Sequence, residues 1–253
     1  MKNNQKDNVL YPVYDNGELH VTISKGNTKM GNIPNFNTLP GNRPITKKDG
    51  TQLTNIIGTC GKHCKECFKA CYAVRFVRMH HNACVKPYAM NTIIMRFDPE
   101  KLRAAIKEYC EKNVVKYFRF HTSGEIESKS QLELYAQICK DNPEVNFYLY
   151  TKAFGVLQEW FISLGKRDEE IPDNFVINLS EWHGNLDFMT SPACHTFFRK
   201  CNIFSYDDGN SGAKVEAMTH CPAVDKQGHE TGITCAQCRR CMKKGHQTAV
   251  YAH

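Results

Sequence analysis

The chain has 253 residues, of which 41% are hydrophobic, so it is long enough for one large domain or a domain with an added module. The sequence contains no apolar stretch that could cross a bilayer, and its polar start, Met1–Asp7, does not resemble a signal peptide. We therefore expect a cytoplasmic protein with no membrane partner, and the odd count of 13 cysteines argues against a closed disulfide framework. The net charge of +7 favours an anionic partner such as a nucleic acid, although a solvated basic surface would give the same charge.

The predicted elements begin with one strand, continue with a long helical stretch and then alternate. A possible N-cap, Ser130, precedes the third predicted helix, and Pro87 is expected to break or kink the first. In chain order, the sequence predicts strands over residues 19–24, 114–121, 145–151, 175–179, 202–206 and 215–218, and helices over residues 64–97, 99–112, 130–141 and 154–164. Strands separated by helices predict repeated βαβ units, and hence an α/β fold with a mainly parallel sheet.

The segment from Thr219 onward is rich in cysteine and has no strand pattern, so we interpret it as an appended segment that binds a metal cluster. It contains Cys235, Cys238 and Cys241 at two-residue intervals, with Cys221-Pro222 upstream. Bacterial ferredoxins bind a [4Fe–4S] cluster through such a triplet and a remote Cys-Pro. A zinc site made by the same four cysteines is the alternative, although zinc more often takes two separated pairs.

A second cysteine run lies near the N-terminus, where Cys60, Cys64 and Cys67 are separated by three and two residues. Three thiolates at this spacing can bind three irons of a cube and leave the fourth iron open for a substrate or cofactor. Cys71 lies one helical turn beyond Cys67 and could supply a fourth ligand, which would close the cluster. We favour the interpretation that Cys71 is a small buried hydrophobic residue beside the site.

This first run resembles the signature of radical S-adenosylmethionine (SAM) enzymes. The resemblance implies a partial (β/α) TIM-like barrel, in which Cys60, Cys64 and Cys67 bind the catalytic [4Fe–4S] cluster and its open iron binds SAM. Reductive cleavage of SAM then gives a 5′-deoxyadenosyl radical, with the difficult chemistry supplied by the cofactors. A reductant protein such as a flavodoxin or ferredoxin is implied as a partner. The residue before the third cysteine is usually aromatic in that family, whereas here it is Glu66.

Other residues at predicted strand ends fit the same resemblance. Ser123-Gly124-Glu125 resembles the Gly-Gly-Glu turn that binds the SAM amino group in radical SAM enzymes, with one substitution. Lys152 could reach a carboxylate, and a Ser or Asn near the fourth strand often touches the SAM ribose, which makes Asn178 and Ser180 candidates. Parallel α/β folds place ligands at the carboxyl ends of strands, and all of these residues are predicted to lie there. An ordinary βα loop is the alternative for each.

The wider pattern resembles a phage-associated family known as gene product 88. The matching segments cover most of the chain: Gly26-Asn27-Thr28-Lys29, Leu39-Pro40, Thr59-Cys60, Cys71-Tyr72-Ala73, Phe118-Arg119-Phe120-His121, Ser123-Gly124-Glu125, Tyr150-Thr151-Lys152, and the closing Cys-Pro with the cysteine triplet. This resemblance implies homology but no specific chemistry. Within it, we interpret His121 as a structural histidine rather than a proton or SAM contact.

The sequence therefore predicts a radical SAM enzyme with two [4Fe–4S] clusters. Residues 1–220 would form the partial barrel with an N-terminal extension, and residues 221–253 the auxiliary cluster segment. The substrate is open, with nucleic acid slightly favoured and a peptide next. Two alternatives remain: a non-catalytic nucleic-acid-binding protein stabilised by zinc, and an iron–sulfur protein with closed clusters that transfers electrons or acts as a sensor.

Overall fold

The computed structural model describes residues 18–61, 67–68, 71–165, 170–181, 200–207 and 218–251. One sheet of eight strands runs through this part of the chain. The strands are β1 (Ile23–Ser24), β2 (Asn35–Phe36), β3 (Tyr117–Phe120), β4 (Asn146–Thr151), β5 (Phe175–Glu181), β6 (Asn202–Asp207), β7 (Thr219–His220) and β8 (Gln247–Tyr251). The helices are α1 (Tyr72–Met79), α2 (His81–Phe97), α3 (Pro99–Lys112), α4 (Lys129–Asp141), α5 (Phe154–Leu164) and α6 (Cys235–Cys238), followed by a 3-10 turn at Arg240–Met242.

The strand order in the sheet is β1-β2-β3-β4-β5-β6-β8-β7. Every neighbouring pair is parallel except β1 and β2, which confirms the predicted mainly parallel α/β fold. The sheet is open, because β1 and β7 lie at its two edges and do not pair with each other in the described residues. The partial-barrel form of the fold is therefore not established by the strand pairing.

The strands alternate between two buried faces. On one face, Phe118, Phe147 and Phe175 join the main core, which α3, α4 and α5 cover. On the other face, Tyr148 and Val176 pack with residues from the turn after β1 and from the C-terminal cysteine segment. Because both faces are covered, β4 and β5 are apolar along most of their length, as is usual for parallel sheets.

Two helices have the predicted bounds because their local signals are strong. In α3, the Asp98 side chain accepts the Lys101 backbone N–H and Pro99 occupies the first turn, and in α5 apolar residues recur at helical spacing. The predicted cap of α4 is wrong: Ser128, rather than Ser130, accepts the Gln131 N–H. Pro87 lies inside α2 and does not end it, because burial of neighbouring Val85, Ala89 and Met90 offsets the lost backbone hydrogen bond.

The C-terminal segment contains strands that the sequence pattern does not predict. β8 lies between β6 and β7, so the sheet continues across the expected boundary at residue 221. The expectation of a segment without strands is thus wrong, and its reason is that β8 is short and gains its stability from two neighbours. The strand predicted over residues 215–218 falls mostly outside the described residues. None of the described helices is long and apolar enough to span a membrane.

Candidate functional site

A cavity of about 360 Å³ opens at the carboxyl ends of β3, β4 and β5. Parallel strands bring their C-terminal loops to one edge of the sheet, so residues far apart in sequence meet there. The cavity is lined by Pro40, Cys60, Cys67, Phe68, Cys71, Tyr72, Ala73, Arg119, His121, Thr122, Ser123, Gly124, Glu125, Tyr150, Lys152, Ser180 and Tyr206. The two predicted groups of residues, the first cysteine run and the strand-end loops, therefore share one site. Cys64 lies outside the described residues.

Cys60, Cys67 and Cys71 face this cavity, and Cys67 and Cys71 are hydrogen-bonded to each other. The Cys67 thiol hydrogen-bonds to Cys71, which lowers the pKa of Cys71, and the same bond together with burial raises the pKa of Cys67. Cys71 also caps α1, where its sulfur accepts the Val74 backbone N–H at 3.5 Å. The charge of Cys60 raises the pKa of Cys71, so Cys60 lies within electrostatic reach of the pair.

The interpretation of Cys71 as a small buried hydrophobic residue is wrong. Its side chain is only half-buried, caps a helix and contacts Cys67. A thiolate that accepts hydrogen bonds at a helix N-terminus is stabilised by those N–H groups and by the helix dipole. Cys71 is thus placed where it could act as a ligand, a base or a redox partner of Cys67.

Thr59 ties the first cysteine to the turn after β3. Its hydroxyl accepts the Glu125 backbone N–H at 2.8 Å and lies 2.9 Å from the Thr38 hydroxyl. Cys60 follows Thr59 directly, and its own N–H donates to the Gly41 carbonyl. The backbone of Cys60 and the acidic turn are therefore positioned by one shared network of buried hydroxyl groups.

Glu125 presents a buried carboxylate at the junction of β3 and β4. Its Oε1 accepts the Ile126 N–H and its Oε2 accepts the Lys152 N–H, each at 2.9 Å. Burial raises the Glu125 pKa, while the hydrogen bonds from Lys152, Thr151 and Ile126 and the Lys152 charge oppose that shift. A carboxylate has about four acceptor positions, so these three hydrogen bonds leave about one position for a cationic group in the cavity.

The other predicted contacts differ in what they present to the cavity. Lys152 and Ser180 line it. Ser123 also lines it, but its hydroxyl donates to the Thr38 carbonyl at 3.1 Å, so this hydroxyl joins two loops. Gly124 has φ +87°, and a Cβ there would lie 1.9 Å from the Thr38 hydroxyl oxygen. The glycine is therefore required by packing inside the protein rather than by the approach of a ligand.

Asn178 does not line the cavity, which contradicts its expected role as a ribose contact. Its amide is buried and donates to the Leu149 carbonyl at 3.0 Å and the Cys241 carbonyl at 2.9 Å. The neighbouring Asn202 amide donates to Asn178 Oδ1 and to the Lys243 carbonyl. The two asparagines are paired in register across β5 and β6, and together they hold the C-terminal cysteine segment on the sheet.

The four C-terminal cysteines lie close enough to influence one another. Burial raises the pKa of Cys221, Cys235 and Cys241, and the charges of neighbouring cysteines in the group raise each of them further. α6 is docked by the turn after β1, since the Cys235 N–H donates to the Lys29 carbonyl and the Ala236 N–H to the Met30 carbonyl. Among the described residues, however, no group of three or more His, Cys, Asp or Glu side chains is placed so that it could hold a metal ion.

Comparison with known proteins identifies the family. The family model described as "Gene product 88" matches residues 21–244, which is most of the chain. The chain belongs to the gene product 88 family. The "Gene 88 protein" of Mycobacterium phage L5 is 23% identical over 236 residues, covering 88% of this chain and 89% of the phage protein. No solved structure matches.

Two residues of this gene product 88 protein lie between its cysteine groups, and the sequence does not single them out for that role. The Arg119 guanidinium carbon lies 4.6 Å from the centre of the Tyr150 ring, and both side chains line the cavity. On the other side, Tyr150 hydrogen-bonds to Cys241, and the Arg119 charge lowers the pKa of Cys235 against the effect of burial. A charged residue within the apolar strand Tyr117–Phe120 is the signal that could have identified Arg119.

His121 makes the buried hydrogen bonds that its interpretation as a structural histidine predicts, and it also lines the cavity. It is buried at φ +58°, with Nε2 at 2.7 Å from the Tyr135 hydroxyl and Nδ1 at 3.3 Å from the Thr38 hydroxyl. Burial lowers its pKa to about 4. The imidazole is therefore neutral at physiological pH, and it braces the turn that carries Glu125 in this gene product 88 protein.

Proposed function

We propose that this gene product 88 protein is a radical SAM enzyme that generates a 5′-deoxyadenosyl radical and modifies a substrate, with nucleic acid favoured over a peptide. The observation that supports this proposal is the single cavity at the strand ends that collects Cys60, Cys67, Glu125 and Lys152. Its volume of about 360 Å³ lies within the range of small-molecule sites, about 300–1,000 Å³. In this proposal the open parallel sheet corresponds to the partial barrel of such enzymes.

The donor chemistry of the cavity fits a zwitterionic ligand beside thiolates. Cys60 and Cys67, with Cys64, would hold the [4Fe–4S] cluster. The Glu125 carboxylate would accept hydrogen bonds from the SAM ammonium group, and Lys152 would face its carboxylate. When bound, the cluster and SAM supply the electron transfer and the radical. The protein contributes position, charge complementarity and exclusion of water.

The C-terminal cysteines would hold the auxiliary cluster in this proposal. Cys221, Cys235, Cys238 and Cys241 come from one segment that the sheet and the turn after β1 hold in place. Their present spacing does not form a metal-binding group, so cluster binding requires the sulfurs to move closer together. Such movement is expected when thiols lose protons and coordinate a metal, because metal binding and folding are coupled.

The decisive experiment is anaerobic reconstitution followed by incubation with SAM and a strong reductant such as dithionite or a reduced flavodoxin. We expect about eight irons and matching sulfide per chain, and release of 5′-deoxyadenosine. A matched protein with Cys60, Cys64 and Cys67 changed to alanine should keep about four irons and should release no 5′-deoxyadenosine. Zinc without iron, or a fully reconstituted protein that never forms 5′-deoxyadenosine, would end the proposal.

A second candidate function is an iron–sulfur electron carrier in which Cys71 closes the first cluster. The contact between Cys67 and Cys71 specifically favours this alternative, because it places a fourth thiol inside the cavity. A closed cluster has no iron open to SAM. The two functions therefore differ in whether SAM binding perturbs the spectrum of the reduced cluster.

A further inference from the structure

The outer face of α1 begins at the rim of the cavity and carries aromatic and basic side chains. Tyr72 lines the cavity and is 62% exposed, and Met79, at the other end of the helix, is 66% exposed. Tyr72 and Phe76 have ring centres 5.8 Å apart, and the Phe76 and His80 ring centres lie 4.6 Å apart. The three rings therefore form a row that leads away from the site, with Tyr72 and His80 exposed and Phe76 half-buried against the core.

The charge of this region has one sign. Residues 67–97 contain five Lys or Arg residues and no Asp or Glu, and one of the five, Arg96, is paired with Glu127 from outside this stretch. Two of the basic residues, Arg75 and Arg78, are exposed on α1, and the helix positions of Tyr72, Arg75, Phe76 and Met79 lie within one side of it. We call Tyr72, Arg75, Phe76, Arg78 and Met79 the α1 face.

We infer that the α1 face binds single-stranded nucleic acid and leads one nucleotide to the cavity. Aromatic rings stack on unpaired bases of any sequence, and arginines beside them neutralise the phosphates. A duplex hides its bases from such rings, and an acidic peptide would have no use for the row of rings. The inference specifies the substrate class of the proposed enzyme and rests on it for the chemistry, but the binding itself needs neither SAM nor a cluster.

The α1 face also explains how a polymer could reach a site at the end of the sheet. Tyr72 contributes to the main cavity and to a smaller neighbouring cavity of about 110 Å³, which Asn35, Asn37 and Tyr88 help to line. A base stacked on Tyr72 would thus lie at the junction of the two cavities.

The test is fluorescence anisotropy of the full chain with labelled oligouridylate and oligothymidylate of about 20 nucleotides, a length that exceeds the usual site size. No SAM or reductant is added. We expect salt-dependent binding, weakened about tenfold by Tyr72→Ala and unchanged by Tyr72→Phe, because stacking needs only the ring. Phe97→Ala is the matched control, since Phe97 is an exposed ring, 80% accessible, at the far end of α2.

The basic residues are tested by the salt dependence. Arg75→Gln combined with Arg78→Gln should reduce the slope of log affinity against log salt by about 1.4, which corresponds to two lost phosphate contacts on a single strand. Lys107→Gln combined with Lys112→Gln removes the same charge from the exposed side of α3. The slope of log affinity against log salt should then equal that of the wild-type chain. Circular dichroism checks that each variant is folded.

Absence of oligonucleotide binding by the wild-type chain, or α1-face variants that bind like their controls, would overturn the inference and leave a peptide as the next substrate class. The two proposals fail separately. Formation of 5′-deoxyadenosine by a protein that does not bind oligonucleotide removes only the nucleic-acid face. Binding that depends on the α1 face in a protein that never cleaves SAM removes only the enzyme.

Discussion

Gly124 lies against Thr38 so closely that a Cβ at position 124 would stand 1.9 Å from the Thr38 hydroxyl oxygen. The same Cβ would be 2.7 Å from the Thr59 hydroxyl oxygen, and the backbone has φ +87°. The glycine thus allows the loops that carry Cys60 and Glu125 to meet.

Gly124→Ala should destabilise the protein by about 2–4 kcal/mol, because a buried clash adds to the strain of positive φ. The measurement is urea unfolding followed by circular dichroism. Gly50→Ala is the control, since Gly50 has φ +88° with nothing within 4 Å of its Cβ position. It should cost only the backbone strain, about 1–2 kcal/mol. Equal losses in the two variants would contradict the packing argument.

Glu125→Gln should weaken SAM binding about tenfold, because it replaces a charge-assisted hydrogen bond with a neutral one. Iron content should not change. Calorimetric titration of reconstituted protein with SAM measures the affinity. Glu127→Gln is the matched control, because Glu127 pairs with Arg96 outside the cavity. Unchanged SAM affinity in Glu125→Gln would remove this carboxylate from the proposed site.

Cys71→Ser decides between the open and the closed first cluster. Serine preserves the cap of α1 and removes the thiol, so the helix should remain folded. If three cysteines hold the cluster, the variant keeps the iron content of the wild-type protein and still forms 5′-deoxyadenosine. Loss of about four irons on this substitution would instead show that Cys71 is a ligand and would favour the electron carrier.

Asn178→Ala should release the C-terminal cysteine segment from the sheet. Two buried carbonyls lose their donor, which costs about 1–3 kcal/mol. Alkylation of the metal-free protein, read by mass spectrometry, should show faster modification of Cys241. Asn174→Ala is matched to it, because Asn174 donates to the carbonyls of Cys139, Asn142 and Val145, away from the cysteine segment. Equal Cys241 labelling in the two variants would argue against the clamp.

His121 should make stability fall as the pH is lowered. Burial lowers its pKa to about 4 from an ordinary value of 6.5, so between these values the unfolded chain binds the proton and the folded chain does not. The contribution of neutral His121 to the free energy of unfolding is fully present above about pH 6.5. It is lost as the pH falls toward 4, and the loss is at most about 3 kcal/mol. Urea unfolding across this range should show a shallower pH dependence for His121→Gln than for the exposed control His229→Gln. Parallel pH curves for the two variants would mean that His121 is not buried as the neutral form.

The sequence predicts the regular elements where local signals are sufficient. The bounds of α3 and α5 agree with the predicted ranges, because capping residues and apolar spacing are local properties. β2 and β8 are missed, because strands of two and five residues gain stability from neighbours that only the fold supplies.

The candidate site shows the same limit. Glu125, Lys152 and Ser180 reach the cavity, as the rule of carboxyl strand ends predicts. Asn178 fails because it lies two residues earlier than Ser180 on β5, about 6.6 Å deeper along the strand, where Cys241 covers it. The positions of Arg119 and Tyr150 between the cysteine groups depend on that same covering segment, which no strand pattern reveals.

Residues 221–241, which carry the four C-terminal cysteines, are anchored at both ends, since β7 precedes them and β8 follows them in one sheet. A segment anchored at one end only could lose a bound metal cluster and leave the rest of the fold unchanged. A segment anchored at both ends cannot do so, because any rearrangement of its sulfur atoms also displaces two adjacent strands. Oxidation of these cysteines should therefore be detectable as faster trypsin cleavage near β8, away from the oxidised sulfur atoms themselves.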